Sequence, residues 1–132
     1  MIVDTQPYCT LEYLPEFHCL LQTWEGFARS QQFRDSIQKS LEFFQAHSHD
    51  VRSIISDTRK QEAVSKENAE WVGAEITPKL VQHGLQKMAF IAPEHIVTKW
   101  AEERFAQTAG ERPQIRWFPT IDEAKTWISE MA

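Results

Sequence analysis

Asp57-Thr58-Arg59 sets a carboxylate, a hydroxyl and a guanidinium side by side, one residue, Ser56, beyond the β-prone run Val51 to Ile55. A guanidinium in that place offers a planar fork to a carboxylate or a phosphate, so the three residues form a candidate polar binding site. Two local readings compete: Asp57 capping nearby backbone amides, and Arg59 pairing with Glu62 or staying solvated. Further on, Ser65 starts a helical pattern, where its hydroxyl is either a candidate phosphoacceptor or an ordinary N-cap. Ligands of open α/β sheets collect at the carboxyl ends of strands and the amino ends of helices, which makes the join between Val51 and Trp71 the first place to look.

Other reactive residues form weaker patterns. His47 and His49 make a His-x-His beside Asp50, but no third ligand or cysteine pair accompanies them. The end of a helix already explains His47 through the macrodipole, so no metal is expected. His18, His83 and His95 are isolated and read as surface or edge residues. No Gly-x-Ser-x-Gly, phosphate-cradling glycine loop or His-Glu-x-x-His occurs, and 4 glycines leave little room for one. Neither an enzyme nor a cofactor is expected.

These residues must be held by alternating strands and helices. Thr10 to Leu14 and Phe17 to Trp24 read as a hairpin around Leu14-Pro15-Glu16, leading out through Gly26. A tight turn at Pro15-Glu16 would set Cys9 opposite Gln22 and Cys19 opposite Glu12, on opposite sides of the sheet, so the two cysteines are expected as buried free thiols. A helix from Ser30 to His47 carries Phe33, Ile37, Leu41 and Phe44 on one face, with Ser30 as its cap. Val51 to Asp57 is the next strand. Ser65 to about Val81 forms a helix with Val72, Ile76 and Leu80 on one stripe, kinked or broken near Thr77 by Pro78 and ended by Gly84.

Met88 to Ala92 is short and wholly apolar, as a strand covered on both faces would be. Pro93-Glu94 opens a helix through Gln107, with Ile96, Val97, Trp100 and Phe105 inward and Gly110 closing it. Ile115 to Phe118 is the last strand. Thr120 and Glu123 then form a capping-box signature for a helix with the stripe Ile121, Ala124, Ile128 and Met131. The fold class is therefore α/β: a single-domain mixed sheet over residues 1–132, mostly parallel with an antiparallel N-terminal hairpin, flanked by about four helices.

Composition bounds the partners. A chain of 132 residues, 42% hydrophobic and 25% charged, suits one domain. Its net charge of -5 lacks the clustered cations of a broad nucleic-acid footprint, so no nucleic acid is expected. No segment joins a charged start to an apolar core of roughly 7 to 15 residues, and none approaches the about 20 that a membrane span needs, which gives a cytoplasmic expectation.

The chain also resembles the small bacterial STAS-like proteins related to the sporulation stage II anti-sigma-factor antagonists. The residues that carry the likeness are Trp24-Glu25-Gly26 after the hairpin, Phe33, a strand ending in Asp57, Trp71, Gly84-Leu85 before the Ala89 strand, Trp117-Phe118, Glu123-Ala124 and Trp127. They run from about Leu11 to Ile128 and are core and turn positions, so they identify a fold more than an activity. In the antagonists a kinase phosphorylates a serine in an Asp-Ser-Ser-Gly context. Here the matching place is Val64-Ser65-Lys66-Glu67, which keeps only the serine and favours the cap.

Two functions follow as expectations. The first is a non-enzymatic regulatory or adaptor domain that binds a protein partner through the surface around Asp57 to Glu67. STAS-like folds also resemble lipid-transfer domains of the CRAL-TRIO type, which implies the second, a carrier or sensor of a small apolar ligand or membrane lipid. In that reading Ile96, Val97 and Trp100 form an apolar lid or membrane contact on the helix starting at Glu94. The discriminating feature is whether an apolar pocket exists. A homodimer through Tyr8, Tyr13 or Phe17 at the hairpin edge is a further expectation.

Overall fold

A computed structural model describes residues 1–103, the last five by backbone alone, and residues 112–130. These form a single mixed sheet whose strands lie in chain order, β1 (Ile2–Gln6), β2 (Cys9–Leu14), β3 (Cys19–Gly26), β4 (Ser53–Gln61), β5 (Lys87–Ile91) and β6 (Gln114–Phe118). β1, β2 and β3 pair antiparallel, and β3 through β6 pair parallel. The α/β class and the mixed sheet agree with the sequence reading.

Helix α1 (Ser30–Ala46) and the segment α2 (Lys66–Trp71), a π-helical turn (Val72–Ile76) and α3 (Thr77–Gln82) pack over one face. α5 (Ile121–Ser129) covers the other, and α4 (Glu94–Glu103) lies along β6. As the spacing requires, Phe33, Ile37, Leu41 and Phe44 are all buried, joined by Leu11, Leu20, Trp24, Ile54 and Met88 from the sheet. The opposite face buries Cys19, Ile55, Ala89 and Ile91 against Ala124 and Trp127.

Several local expectations are corrected. β1 was not foreseen; it pairs outside β2, so the edge of the sheet is β1. Tyr8 and Tyr13 are half-buried against the α1 face and Phe17 against the α5 face, and the exposed large apolar residues are Met1, Ile2, Phe27, Val64 and Ile96 instead. The β2-β3 connection is a 3-10 turn (Pro15–Phe17) plus His18 at φ 50°, so Cys9 pairs with Trp24 and Cys19 with Leu14. That register differs by two residues from the tight turn, an even step, so each side chain keeps its face and the cysteines stay on opposite sides as expected.

Ser30 is not the cap of α1. Arg29 holds that position and donates its backbone N–H to Gln32 Oε1 at 2.9 Å, while the Ser30 hydroxyl donates to Asn68 Oδ1. The break foreseen at Pro78 takes the form of the π turn. Proline has no N–H for the carbonyl four residues back and its ring would strike it, so Thr77 N–H reaches five residues back to the Val72 carbonyl instead. Gly84 then turns the chain at φ +112°, where a Cβ would stand 3.0 Å from His49 Cα. The expectations for Phe105, Gln107, Gly110 and Met131 lie outside the described residues.

Candidate functional site

Between the sheet and the helices of its α1 face lies a cavity of about 380 Å³. Its floor is a row of residues aligned across the strands: Gln22 on β3 pairs with Ser56 on β4, Ser56 with Phe90 on β5, and Phe90 with Trp117 on β6. Trp24, Ile54, Thr58 and Met88 extend that floor toward the neighbouring rows. Phe33, Ile37 and Ser40 of α1 form one wall, and Val72, Ile76 and Leu80 the other.

Short side chains make the space. Protein interiors are normally filled to crystal-like density, and here Ser56 and Thr58 on the sheet look toward Ser40, Ala69 and Val72 on the helices. The wide π turn places Val72 and Ile76 on this wall, a position where π turns often serve function. Two aromatic pairs stiffen the ends: Trp24 stacks on Phe33 at 5.2 Å between centroids, and Phe90 on Trp117 at 4.8 Å. Gln61 and Val64 at the carboxyl end of β4 border both this cavity and a smaller hollow of about 150 Å³ that includes Phe27, Ser65 and Asn68. Gln61 and Val64 therefore stand between the interior and the loop surface.

The residues singled out from sequence are not drawn together. β4 continues to Gln61 rather than ending at Asp57, because β3 still pairs with it beyond a bulge that shifts Thr23↔Asp57 to Glu25↔Lys60. Asp57 and Arg59 are thus within a strand. Arg59 Nε and Nη2 donate to the two oxygens of Asp57 at 3.0 and 2.8 Å, a closed bidentate pair. Burial pushes the Asp57 carboxyl up, but the hydrogen bonds and charge of Arg59 outweigh it and leave the group below its ordinary value. The fork of Arg59 is already engaged by Asp57, not Glu62. Thr58 faces the cavity, and its hydroxyl donates to the Ile91 carbonyl at 2.8 Å.

Ser65 is the exposed N-cap of α2 and accepts the Asn68 N–H at 3.1 Å. On α4, Ile96 is exposed and Val97 half-buried, and the Trp100 side chain lies outside the described residues. The described residues that line the cavity come from α1, the segment 64–80 and the sheet, not from α4.

A second cleft of about 390 Å³ lies at the amino ends of β4 and β5, beside Glu16, His18, Arg52, Lys87 and Glu130. Its Lys87 is committed: the buried ammonium donates to the carbonyls of Trp127 and Glu130 at 2.9 and 3.0 Å, closing the carboxyl end of α5. Burial lowers its pKa below the ordinary lysine value. The apolar cavity, with a few polar groups among aromatic and aliphatic walls, has the make-up of a small-molecule site, and the cleft does not.

Sequence reasoning set an apolar cavity beneath the helix starting at Glu94 and missed the one between the sheet and α1 to α3. The available signal was the polar pair Gln22 and Ser56 at positions whose neighbours in the same rows are apolar. Burial raises both Cys9 and Cys19 to about 12, so neither is a ready nucleophile. Among the described residues no group of three or more His, Cys, Asp or Glu is placed to hold a metal ion, and no helix is long and apolar enough to cross a membrane. Compared with models of protein families, curated proteins and solved structures, the chain matches none of them.

Proposed function

We propose that this protein binds a small apolar molecule between its sheet and the helices α1 to α3, acting as a carrier or sensor rather than as an enzyme. The observation that carries this reading is the apolar cavity of about 380 Å³, which falls within the roughly 300–1,000 Å³ of small-molecule sites. The non-enzymatic part of the reading is supported by the residues nearest to chemistry: Asp57 is held by Arg59, and both thiols stay protonated at neutral pH. A cytoplasmic site of action belongs to the same proposal.

Organic extraction of the purified protein followed by mass spectrometry tests the reading. An apolar species enriched over a control protein supports it. No enriched species, together with no saturable change of tryptophan fluorescence on titration with 1-decanol, sinks it.

The adaptor reading is favoured by one feature of the surface. Phe27 and Val64 are 63% and 37% exposed around the loop that follows β4, and Val64 also borders the cavity. In that reading a protein partner docks on this loop, and an occupied cavity alters the loop it reads. Pull-down on immobilised protein, with and without Val64→Lys, checks it; a partner retained equally by both would contradict it.

A further inference from the structure

Resting on that reading, we infer that the ligand carries an uncharged polar head that both donates and accepts a hydrogen bond, received by Gln22 and Ser56, and that a carboxylate is excluded. Gln22 and Ser56 are each 5% exposed and are lateral partners on β3 and β4, so their side chains stand on the cavity floor about 4.8 Å apart along the strand spacing.

The orientation of the Gln22 amide follows from its neighbours. Ser40 on α1 gives its one hydroxyl hydrogen to the Ser36 carbonyl at 3.0 Å. It can then only accept from Gln22, so the contact of 3.0 Å between them is an N–H of the amide donated to Ser40 Oγ. The amide oxygen therefore points away from Ser40. Among the described residues no group hydrogen-bonds that oxygen, and none hydrogen-bonds the Ser56 hydroxyl. Neither is a sealed, unsatisfied atom; both residues line the cavity, and two adjacent polar groups on an otherwise apolar floor mark where a polar ligand atom belongs.

The chemistry of the pair defines that atom. The Gln22 oxygen accepts and the Ser56 hydroxyl donates, a combination met by an alcohol or a primary amide. None of the described residues that line the cavity is ionisable. A carboxylate would have to leave water with no cation to meet it, and burial without a counter-charge strongly disfavours the ionised form. The rest of the ligand meets Ile37, Ile54, Met88, Phe90 and Trp24, which suit a hydrocarbon chain or ring.

Isothermal titration calorimetry of the full chain at about pH 8, where a free carboxylic acid is ionised, with 1-decanol, decanoate and decane as probes, tests the inference. Decanol should bind at least tenfold more tightly than either of the others. Ser56→Ala and Gln22→Met should each abolish the preference for decanol over decane, and circular dichroism with a cooperative thermal melt shows that each variant folds. Decanoate or decane binding as tightly as decanol, or decanol binding unaltered in both variants, overturns the head-group assignment but leaves the cavity reading standing. No binding of any probe overturns both.

Discussion

Gln22 on β3 donates its amide hydrogen to Ser40 on α1 across 3.0 Å, and both residues are buried. This bond ties the first helix to the third strand at the edge of the cavity, where apolar packing between the two layers is interrupted. Ser40→Ala removes the acceptor and strands a buried N–H, which costs about 1–3 kcal/mol. Urea denaturation should show a lower midpoint with an unchanged slope. Ser40→Ala as stable as the native protein would mean that the amide finds another acceptor.

The cavity can be filled from its helical wall. Val72 is half-buried in the π turn, and Val72→Phe directs a ring into the space between Ile76 and Phe90. The variant should keep or raise the melting temperature, since it adds buried apolar area at roughly 25 cal/mol per Å², and should weaken decanol binding at least tenfold. A loss of several degrees in melting temperature would mean that the wall is already closed.

Acid should act on the Asp57–Arg59 pair. The folded carboxyl lies below its ordinary value, so the pair stabilises the protein above the unfolded value of about 3.9 and that contribution is lost as pH falls through the lower folded value. Arg59 is 43% exposed by side chain, so solvent screening limits the gain to about 1 kcal/mol or less. The stability gap between the native protein and Arg59→Met, followed by chemical denaturation, should be present near neutral pH and close in acid. A gap that stays constant would assign the effect of Arg59 to packing.

Ser65 separates a cap from a switch. Ser65→Ala should cost about 1 kcal/mol, whereas Ser65→Asp, which also caps, should be near neutral. Equal destabilisation by both, read by thermal melting, would contradict the capping role.

Much of this fold was legible because helix and strand periods leave clear marks. The stripe Phe33, Ile37, Leu41 and Phe44 could only be one face of a helix, and Thr120 caps α5 by accepting the Glu123 N–H as its spacing implied. β1 left no such mark: Ile2–Gln6 is an edge strand, half-exposed, and its pairing depends on contacts with β2. The left-handed turn at His18, which sets the hairpin register, is also a matter of tertiary context. The polar run Thr58 to Gln61 masks the continuation of the strand past Asp57, which pairing with β3 carries on. The cavity was hidden for a different reason. A cavity is a property of residues facing each other from distant segments: Gln22 and Ser56 are a polar break in apolar rows, but Ser40 and Val72 show nothing of it until the sheet and helices are assembled.

Native mass spectrometry of the full chain, 15.4 kDa, incubated with 1-decanol bears most directly on the claim that this cavity holds a ligand. The expected spectrum shows a saturable one-to-one adduct in the native protein that is lost on denaturation and absent from Val72→Phe. An unliganded mass at every decanol concentration, or an adduct retained in full by Val72→Phe, would contradict it.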